Sequence, residues 1–310
     1  GINAEYGENM TTITELIGNT PMVRLQRLNK RGRVFIKLES RNPAGSIKDR
    51  PAFQMIKDLL EEKKIDASTM LIEPTSGNTG VALAMCCAAL GLKITMTMPE
   101  TMSEERKKLM RAYGATLVLT PGAQGMKGAI ARAQEIHEQT PNSRIVGQFV
   151  NPSNPKAHVL TTAVELVRQC QQYDIKPSHF VCGVGTGGTV TGCSPQLKQA
   201  FPELKIVVFE PEQVKVLRGG EHKPHKIQGV SGGFVPEILN QKAYDEVVGV
   251  NQDEAYQMVR RLAAEEGILV GISSAAAILQ GIKLADEFGG DVVCIAPDNG
   301  ERYLSVDGLF

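Results

Sequence analysis

Residues 70–98 read MLIEPTSGNTGVALAMCCAALGLKITMTM. This stretch predicts a strand, a glycine-rich polar turn, a helix and a second strand, in that order. Residues 70–73 are a short apolar run typical of a buried strand. Residues 81–90 are apolar throughout and end at Gly91, a residue favoured directly after a helix. Residues 94–98 predict the next strand. Short apolar strands that alternate with helices are typical of parallel sheets covered on both faces.

The same alternation continues along the chain and predicts an α/β fold. Thr101 and Glu104 have the spacing of a capping box, which predicts that a helix begins there and runs to Met110. Further strands are predicted at residues 116–120, 145–150, 180–184, 206–209 and 292–296, and further helices at 126–139, 157–172, up to about 198, 254–266 and 275–287. The length of 310 residues suggests two such domains. Residues 212–236 interrupt the pattern, and so long a loop is usually functional or disordered.

Composition excludes several classes of function. Lys and Arg together number 34, as do Asp and Glu, which argues against a nucleic-acid partner or an anionic membrane partner. No apolar run approaches the ~20 residues of a membrane helix, and no signal peptide is visible, so we expect a cytoplasmic protein. The six cysteines form no Cys-x-x-Cys pair and the five histidines do not cluster with them, so we expect reduced thiols and no metal. Residues 1–9 are polar and predict a disordered arm or a non-native extension.

Lys48 lies among small and turn-forming residues in the run 42–50, NPAGSIKDR, between a predicted strand and a predicted helix. A lysine at such a boundary can face a cavity in a defined direction. If it is partly desolvated, its amine loses proton affinity and can form a Schiff base with an aldehyde cofactor. Taken alone, the run also fits an ordinary solvated lysine.

Two glycine-rich loops change that balance, because each follows a predicted strand and precedes a helix. In residues 185–189, GTGGT, the backbone N–H groups, the threonine hydroxyls and the helix dipole would together bind a small phosphate. The loop lacks the spacing of a Walker motif or a dinucleotide fingerprint, and a simple tight turn remains equally open. Residues 75–80, TSGNTG, could hold a carboxylate or merely cap a helix.

Two further positions could complete such a site. Gln148 follows a predicted strand and offers an amide donor. Ser273 precedes the helix 275–287, where it is either a helix cap or a neutral partner for a pyridine nitrogen.

Together these motifs closely resemble cysteine synthase, the O-acetylserine sulfhydrylase of the fold-type II enzymes that use pyridoxal 5′-phosphate (PLP). The resemblance covers the chain from about Met10 to Phe310. The segments that carry it are LIGNTPMVRL (16–25), NPAGSIKDR (42–50), TSGNTG (75–80), MPETMS (98–103), GTGGT (185–189), PHKIQG (224–229, similar to the A-type enzymes) and GERYLS (300–305).

The resemblance implies a tryptophan synthase β-like architecture of two domains, each an open, mostly parallel twisted sheet with helices on both faces. An N-terminal arm would span residues 1–18. The larger, cofactor-binding domain would comprise residues 19–40 and 152–310, and a smaller, mobile domain residues 41–151.

The resemblance also implies the chemistry: L-cysteine would form from O-acetyl-L-serine and sulfide by β-replacement through an aminoacrylate. Lys48 would bind PLP covalently and act as the general base. The implied cofactor-binding residues are Lys48, Asn78, Gly185, Thr186, Gly187, Gly188, Thr189 and Ser273. The implied substrate-carboxylate residues are Thr75, Ser76, Thr79 and Gln148. A homodimer is expected, and the C-terminal tail of a serine acetyltransferase is a candidate partner.

Several positions depart from the A-type pattern, and three of them leave the donor and acceptor open. Ser231 and Gly232 stand in a loop that commonly reads Ile-Gly-Ala-Gly-Phe, and Ala275 stands where glycine usually follows the two serines. The alternatives are a cystathionine β-synthase, an O-phosphoserine sulfhydrylase with Arg218 or Lys223 as the extra cation, and a PLP-holding binding protein with little turnover.

Overall fold

The computed structural model describes residues 12–75 and 77–310, and the strands in these ranges form two sheets. The strands are β1 (Met22–Arg24), β2 (Arg33–Leu38), β3 (Met70–Pro74), β4 (Lys93–Pro99), β5 (Thr116–Thr120), β6 (Ser143–Ile145), β7 (Pro177–Gly183), β8 (Lys205–Pro211), β9 (Glu246–Val250) and β10 (Asp291–Ala296).

Helices connect most of these strands. They are α1 (Asp49–Glu61), α2 (Asn78–Leu90), α3 (Glu104–Ala112), α4 (Gly125–Gln139), α5 (Ser153–Ala157), α6 (Ala163–Gln172), α7 (Gly188–Ala200), α8 (Gln252–Arg261) and α9 (Ile272–Phe288). Two π-helical turns, His158–Thr162 and Leu262–Glu266, follow α5 and α8. Four 3-10 turns lie at Ile13–Leu16, Glu39–Arg41, Gly122–Gln124 and Gly300–Tyr303.

The larger sheet has the strand order β1-β2-β10-β7-β8-β9, and all its neighbours are parallel except the pair β1 and β2. The smaller sheet has the order β5-β4-β3-β6 and is fully parallel. We call the larger sheet with α6–α9 the large lobe, and the smaller sheet with α1–α4 the small lobe. The two parallel-rich sheets with their helices confirm the predicted fold class.

Strand β8 shows why apolar runs produce buried parallel strands. Its residues 206–209, IVVF, are all fully buried. Val207 and Phe209 pack into the core beneath α8 and α9, whereas Ile206 and Val208 pack into the core beneath α6 and α7. Because successive side chains point to opposite faces, a strand covered by helices on both sides must be apolar at every position.

Two local predictions were wrong. The N-cap of α3 is Ser103, whose Oγ accepts the Arg106 N–H at 3.3 Å, and Thr101 takes no part in a capping box. The strand predicted at 145–150 ends at Ile145. Gly147 adopts φ +85°, which turns the chain and places Gln148 in the turn beyond the strand.

The large sheet draws its strands from residues 22–38 and 177–296, and the small sheet from residues 70–145. The domain bounds inferred above stay a prediction. None of the helices within the described ranges is long and apolar enough to cross a membrane. All six cysteines are buried as free thiols.

Candidate active site

A cavity of about 530 Å³ lies between the lobes, where the carboxyl ends of several strands meet the N-termini of α2, α7 and α9. Most of the predicted site residues line it: Lys48, Asn78, Thr79, Gln148, Gly185, Thr186, Gly187, Gly188, Thr189 and Ser273. Thr75 does not reach the cavity wall. Ser76 lies outside the described residues.

Lys48 directly precedes α1, and its loop is tied to the end of β10. The Ile47 N–H donates to the Pro297 carbonyl at 3.0 Å, and Ser46 pairs with Asp298 in an isolated β-bridge. The amine faces the glycine-rich loop, since a Cβ on Gly185 would lie 3.9 Å from Lys48 Nζ. Desolvation disfavours the charged ammonium and lowers the pKa of Lys48 to about 8. The neutral, nucleophilic amine is therefore accessible near neutral pH.

A buried ion-pair cluster holds α1 two residues beyond Lys48. Arg50 donates to Glu39 at 2.6 Å and to Glu165 at 2.7 Å, and Lys37 donates to Glu165 at 2.9 Å. Two cations and two anions compensate one another, as buried charges require. The cluster joins β2, α1 and α6 and so fixes where the helix that follows Lys48 begins.

The loop 185–188 comes so close to its neighbours that it needs glycine. A Cβ on Gly185 would lie 2.7 Å from the Gly229 carbonyl oxygen, and Gly187 adopts φ +85°. The loop leads directly into α7, whose N-terminus carries the positive end of the helix dipole. Free backbone N–H groups and the hydroxyls of Thr186 and Thr189 are the donor set that a phosphate requires.

Asn78 is the first residue of α2, and its amide is oriented by charged partners. Its Oδ1 accepts from Arg106 Nε at 3.0 Å and from Arg302 Nη1 at 2.8 Å, while its Nδ2 donates to Asp298 Oδ2 at 2.8 Å. These contacts leave one N–H of Asn78 for a ligand in the cavity. Arg106 also donates to Gln228 Oε1 at 2.6 Å, so this cluster joins the small lobe to the large lobe.

Thr79 and Gln148 also line the cavity. Glu73, at the end of β3, accepts the N–H groups of Gly147 at 2.8 Å and Gln148 at 2.7 Å, which holds Gln148 against the small lobe. Burial raises the pKa of Glu73 to about 7, although these two hydrogen bonds lower it. Thr75 Oγ1 accepts the N–H groups of Gly77 and Gly80 and so closes the turn before α2.

Ser273 lies in the first turn of α9, buried but on the cavity wall. Its Oγ is close to the loop that contains Gly229, where a Cβ would lie 3.7 Å away. The positive end of the α9 dipole disfavours a proton on a ring nitrogen placed here. A neutral hydroxyl is consistent with an unprotonated pyridine.

Sequence patterns missed the residues that orient this site. Arg106 and Asp298 are 192 positions apart in the chain, yet both contact Asn78. No sequence motif singled out Arg106. Only the segment around Arg302, within GERYLS, carried a signal, and that signal came from the resemblance.

The model of the family described as pyridoxal-phosphate dependent enzyme matches residues 13–298. The chain belongs to this family of PLP-dependent enzymes. It is 50% identical over 297 residues to a cysteine synthase of Staphylococcus aureus (strain Mu50 / ATCC 700699), and the alignment covers 94% of this chain and 95% of that protein.

Solved structures of similar sequence confirm the fold. An O-ureido-L-serine synthase has a TM-score of 0.92 and 42% identity, covering 97% of this chain and 95% of its own. A cysteine synthase from Entamoeba histolytica has a TM-score of 0.88 and 40% identity, covering 96% of this chain and 90% of its own. The resemblance inferred from the sequence is thereby confirmed.

The cavity wall fits the cofactor of this family. It combines an amine with a lowered pKa, a glycine loop that side chains could not replace, an amide N–H left free on Asn78 and a hydroxyl at the α9 N-terminus. These groups match, in turn, the aldehyde, the phosphate, the 3′-oxygen and the ring nitrogen of PLP.

Proposed function

We propose that this enzyme forms L-cysteine from O-acetyl-L-serine and sulfide by PLP-dependent β-replacement. One observation carries the proposal: the Lys48 amine, with its pKa lowered to about 8, shares a cavity with the glycine loop at the α7 N-terminus. That arrangement belongs to a chain 50% identical to a cysteine synthase.

In this proposal the cavity wall holds the cofactor at each of its polar groups. Lys48 would hold the aldehyde carbon covalently, and Asn78 would donate its free N–H to the 3′-oxygen. Ser273 would face the ring nitrogen. The phosphate would be bound by the loop residues Gly185, Thr186, Gly187, Gly188 and Thr189. When bound, PLP supplies an electron sink that lets an α-proton and a β-substituent leave the amino acid.

Lys48 would have a second task, as a general base. Its amine would accept the proton from the substrate α-carbon. A base works best when its pKa is near the working pH, and a value of about 8 meets that condition. Desolvation of the amine thus serves both the covalent attachment and the proton transfer.

The substrate carboxylate is placed at Thr79 and Gln148, with Ser76 as a further ligand. The Thr75 hydroxyl accepts two backbone N–H groups and therefore keeps its own hydrogen to donate. In this role Thr75 would act at the edge of the carboxylate site, after a small movement of its turn. Engagement of the carboxylate would draw the mobile domain, residues 41–151, toward the large lobe and exclude water.

O-Acetylserine is the proposed donor because acetate departs far more readily than hydroxide. The cations suggested for a phosphoserine donor do not support that alternative. Arg218 is paired with Glu210 at 2.9 Å, and neither Arg218 nor Lys223 lines the cavity.

A competition assay tests the donor and the acceptor together. O-Acetylserine, serine and O-phosphoserine are each supplied with sulfide or homocysteine, and the amino-acid product is quantified. We expect O-acetylserine with sulfide to have the highest kcat/KM, and Lys48→Ala to lose turnover while keeping its folded circular-dichroism spectrum. Binding of PLP without turnover of any donor would instead indicate a PLP-holding binding protein.

A second candidate is the use of serine or of a larger thiol, in the manner of a cystathionine β-synthase, and Ser231 favours it. This residue lines the cavity with a left-handed φ of +54°, which is uncommon for a side chain other than glycine. Its backbone is held by bonds to the Val184 carbonyl and from His225 Nε2, both 2.9 Å. If serine or homocysteine is preferred and Ser231→Gly restores O-acetylserine and sulfide, Ser231 sets the specificity.

We further propose a cytoplasmic homodimer. Val159, Leu160 and Val164 expose apolar side chains around the turn between α5 and α6, which supports a subunit contact there. The carboxylate site would also accept the C-terminal tail of a serine acetyltransferase, the enzyme class that produces the donor. Sedimentation velocity tests the dimer, and titration with a tail peptide tests the partner.

A further inference from the structure

We propose that Asn154 is a positioning residue that couples the carboxylate-binding turn at Gln148 to the phosphate loop at Thr186. Its side-chain amide fixes the Thr186 hydroxyl as a hydrogen-bond donor directed into the cavity. This inference rests on the proposed function, because it needs a phosphate at the one site and a carboxylate at the other.

Asn154 lies on α5 and is 1% exposed. Its Nδ2 donates to the Gln148 carbonyl oxygen at 2.9 Å and to Thr186 Oγ1 at 3.0 Å. A carbonyl oxygen can only accept, so the amide must present its nitrogen to Gln148. Both hydrogens of one buried amide are therefore used to join the two loops.

The number of hydrogen bonds that the Thr186 hydroxyl can accept then decides where its own hydrogen points. Thr186 Oγ1 accepts from Asn154 Nδ2 and also from the Gly188 N–H at 3.2 Å. A hydroxyl has two acceptor lone pairs and one donor hydrogen. Since both lone pairs are occupied, the hydrogen remains for the cavity that Thr186 lines. An anion such as a phosphate oxygen is the matching acceptor.

The shape of the loop is adapted to this amide. A Cβ on Gly188 would lie 2.1 Å from Asn154 Oδ1, so the side chain of Asn154 occupies the space that any larger residue at 188 would need. Among the described residues, Asn154 Oδ1 has no hydrogen-bond partner although it is buried. Burial of an unpaired amide oxygen is unfavourable, so hydrophobic packing does not account for an asparagine here.

The residue before Asn154 connects the same short helix to α1, the helix that follows Lys48. Ser153 Oγ, adjacent to Asn154, donates to Asp58 Oδ2 of α1 at 2.6 Å. Gln148, in turn, is held on its other side by Glu73 of the small lobe. Movement of Gln148 toward a bound carboxylate would therefore pull on Asn154 and, through it, on the donor to the phosphate.

The test measures PLP affinity on apo-protein by fluorescence titration, which requires no turnover. We expect Asn154→Ala to weaken PLP binding about tenfold, the effect of roughly one hydrogen bond. Asn154→Asp should weaken it more, since the new carboxylate would accept the Thr186 hydrogen and add a negative charge beside the phosphate. Lys156→Ala is the matched control on the same helix, and we expect it to bind PLP as the wild type does.

A double-mutant cycle separates positioning from a merely structural role. If Asn154 acts through the hydroxyl, Asn154→Ala combined with Thr186→Val should bind PLP no more weakly than Thr186→Val alone. Thr186→Ser, which keeps the hydroxyl, should leave the sensitivity to Asn154→Ala intact. Fully additive losses, or wild-type affinity in the isosteric Asn154→Asp variant, would overturn the proposal.

Coupling to the carboxylate is read from the loaded enzyme as a change in KM for the donor. We expect Asn154→Ala to raise KM for O-acetylserine about tenfold, with a smaller change in kcat. An unchanged KM would overturn the link to Gln148. If the wild type binds PLP but uses no O-acetylserine, the proposed function fails, whereas the cycle on PLP affinity still decides the role of Asn154.

Discussion

The pKa of Lys48 makes a quantitative prediction about how fast apo-protein takes up PLP. Only the neutral amine attacks an aldehyde. Desolvation lowers the pKa of Lys48 from 10.5 to about 8. At pH 7 about 9% of such amines are neutral, against about 0.03% for an ordinary lysine, an advantage of about 300-fold.

The assay mixes apo-protein with PLP in a stopped-flow instrument and follows the visible absorbance of the covalent product between about pH 6 and about pH 10. The rate for Lys48 should rise about tenfold per pH unit up to about pH 8 and then level off. Nα-acetyl-lysine, which keeps a free ε-amine, is measured in parallel and corrects for the ionisation of PLP itself. Borohydride reduction followed by peptide mapping should then find the cofactor on Lys48.

Two results would refute this reasoning. A rate ratio of protein to Nα-acetyl-lysine that does not change with pH would mean that Lys48 titrates like a solvated lysine. Labelling at a different lysine would mean that the cavity amine is not the attachment point. Lys48→Ala controls for noncovalent binding, because it should retain weak PLP affinity yet form no covalent product.

Further predictions concern the phosphate loop, the Gln148 turn and lobe closure. Replacing Thr186 and Thr189 together by valine removes two donors, and PLP affinity should fall by on the order of 1–3 kcal/mol per donor; unchanged affinity would make the loop a simple turn. Burial raises the pKa of Glu73 from 4.5 to about 7, so the folded state retains the proton to higher pH than the unfolded state. The Tm of the wild type minus the Tm of Glu73→Gln should therefore fall as the pH rises from about 4.5 to about 7, and should stay level above about pH 7. A Tm difference that does not change with pH would contradict this prediction. Binding of an amino-acid substrate should move residues 85–131 toward the large lobe, and identical small-angle scattering profiles with and without substrate would exclude that closure.

Local patterns predicted the fold well because parallel strands covered on both faces are apolar at successive positions. Strand β8 could be recognised from its IVVF run, and α2 from its apolar residues and the glycine that follows them. The predicted ends of helices and strands were less reliable, because a single residue can decide where an element begins or ends. Gly147 ends β6 early, and Ser103 rather than Thr101 caps α3.

Some residues of the candidate site could likewise be proposed from the sequence, whereas the contacts of others depend on the tertiary structure. The glycine loop and Lys48 could be proposed from the sequence, because each lies in a motif of contiguous residues. Thr75 was expected at the substrate, yet in this structure it closes a turn behind the cavity wall. A hydroxyl competes equally well for a backbone N–H or for a ligand, and only its surroundings decide between them.

The sequence by itself therefore determined the succession of strands and helices, the two loops at strand ends and the lysine between them. Tertiary structure decided which polar groups meet. Arg106 and Asp298 converge on Asn78 from distant segments, and Asn154 reaches both Gln148 and Thr186. It also decided the pKa of Lys48, which depends on how much water the assembled lobes exclude. The physical reason is that hydrogen bonding and desolvation depend on distances in space, whereas residue type and local periodicity are properties of the chain alone.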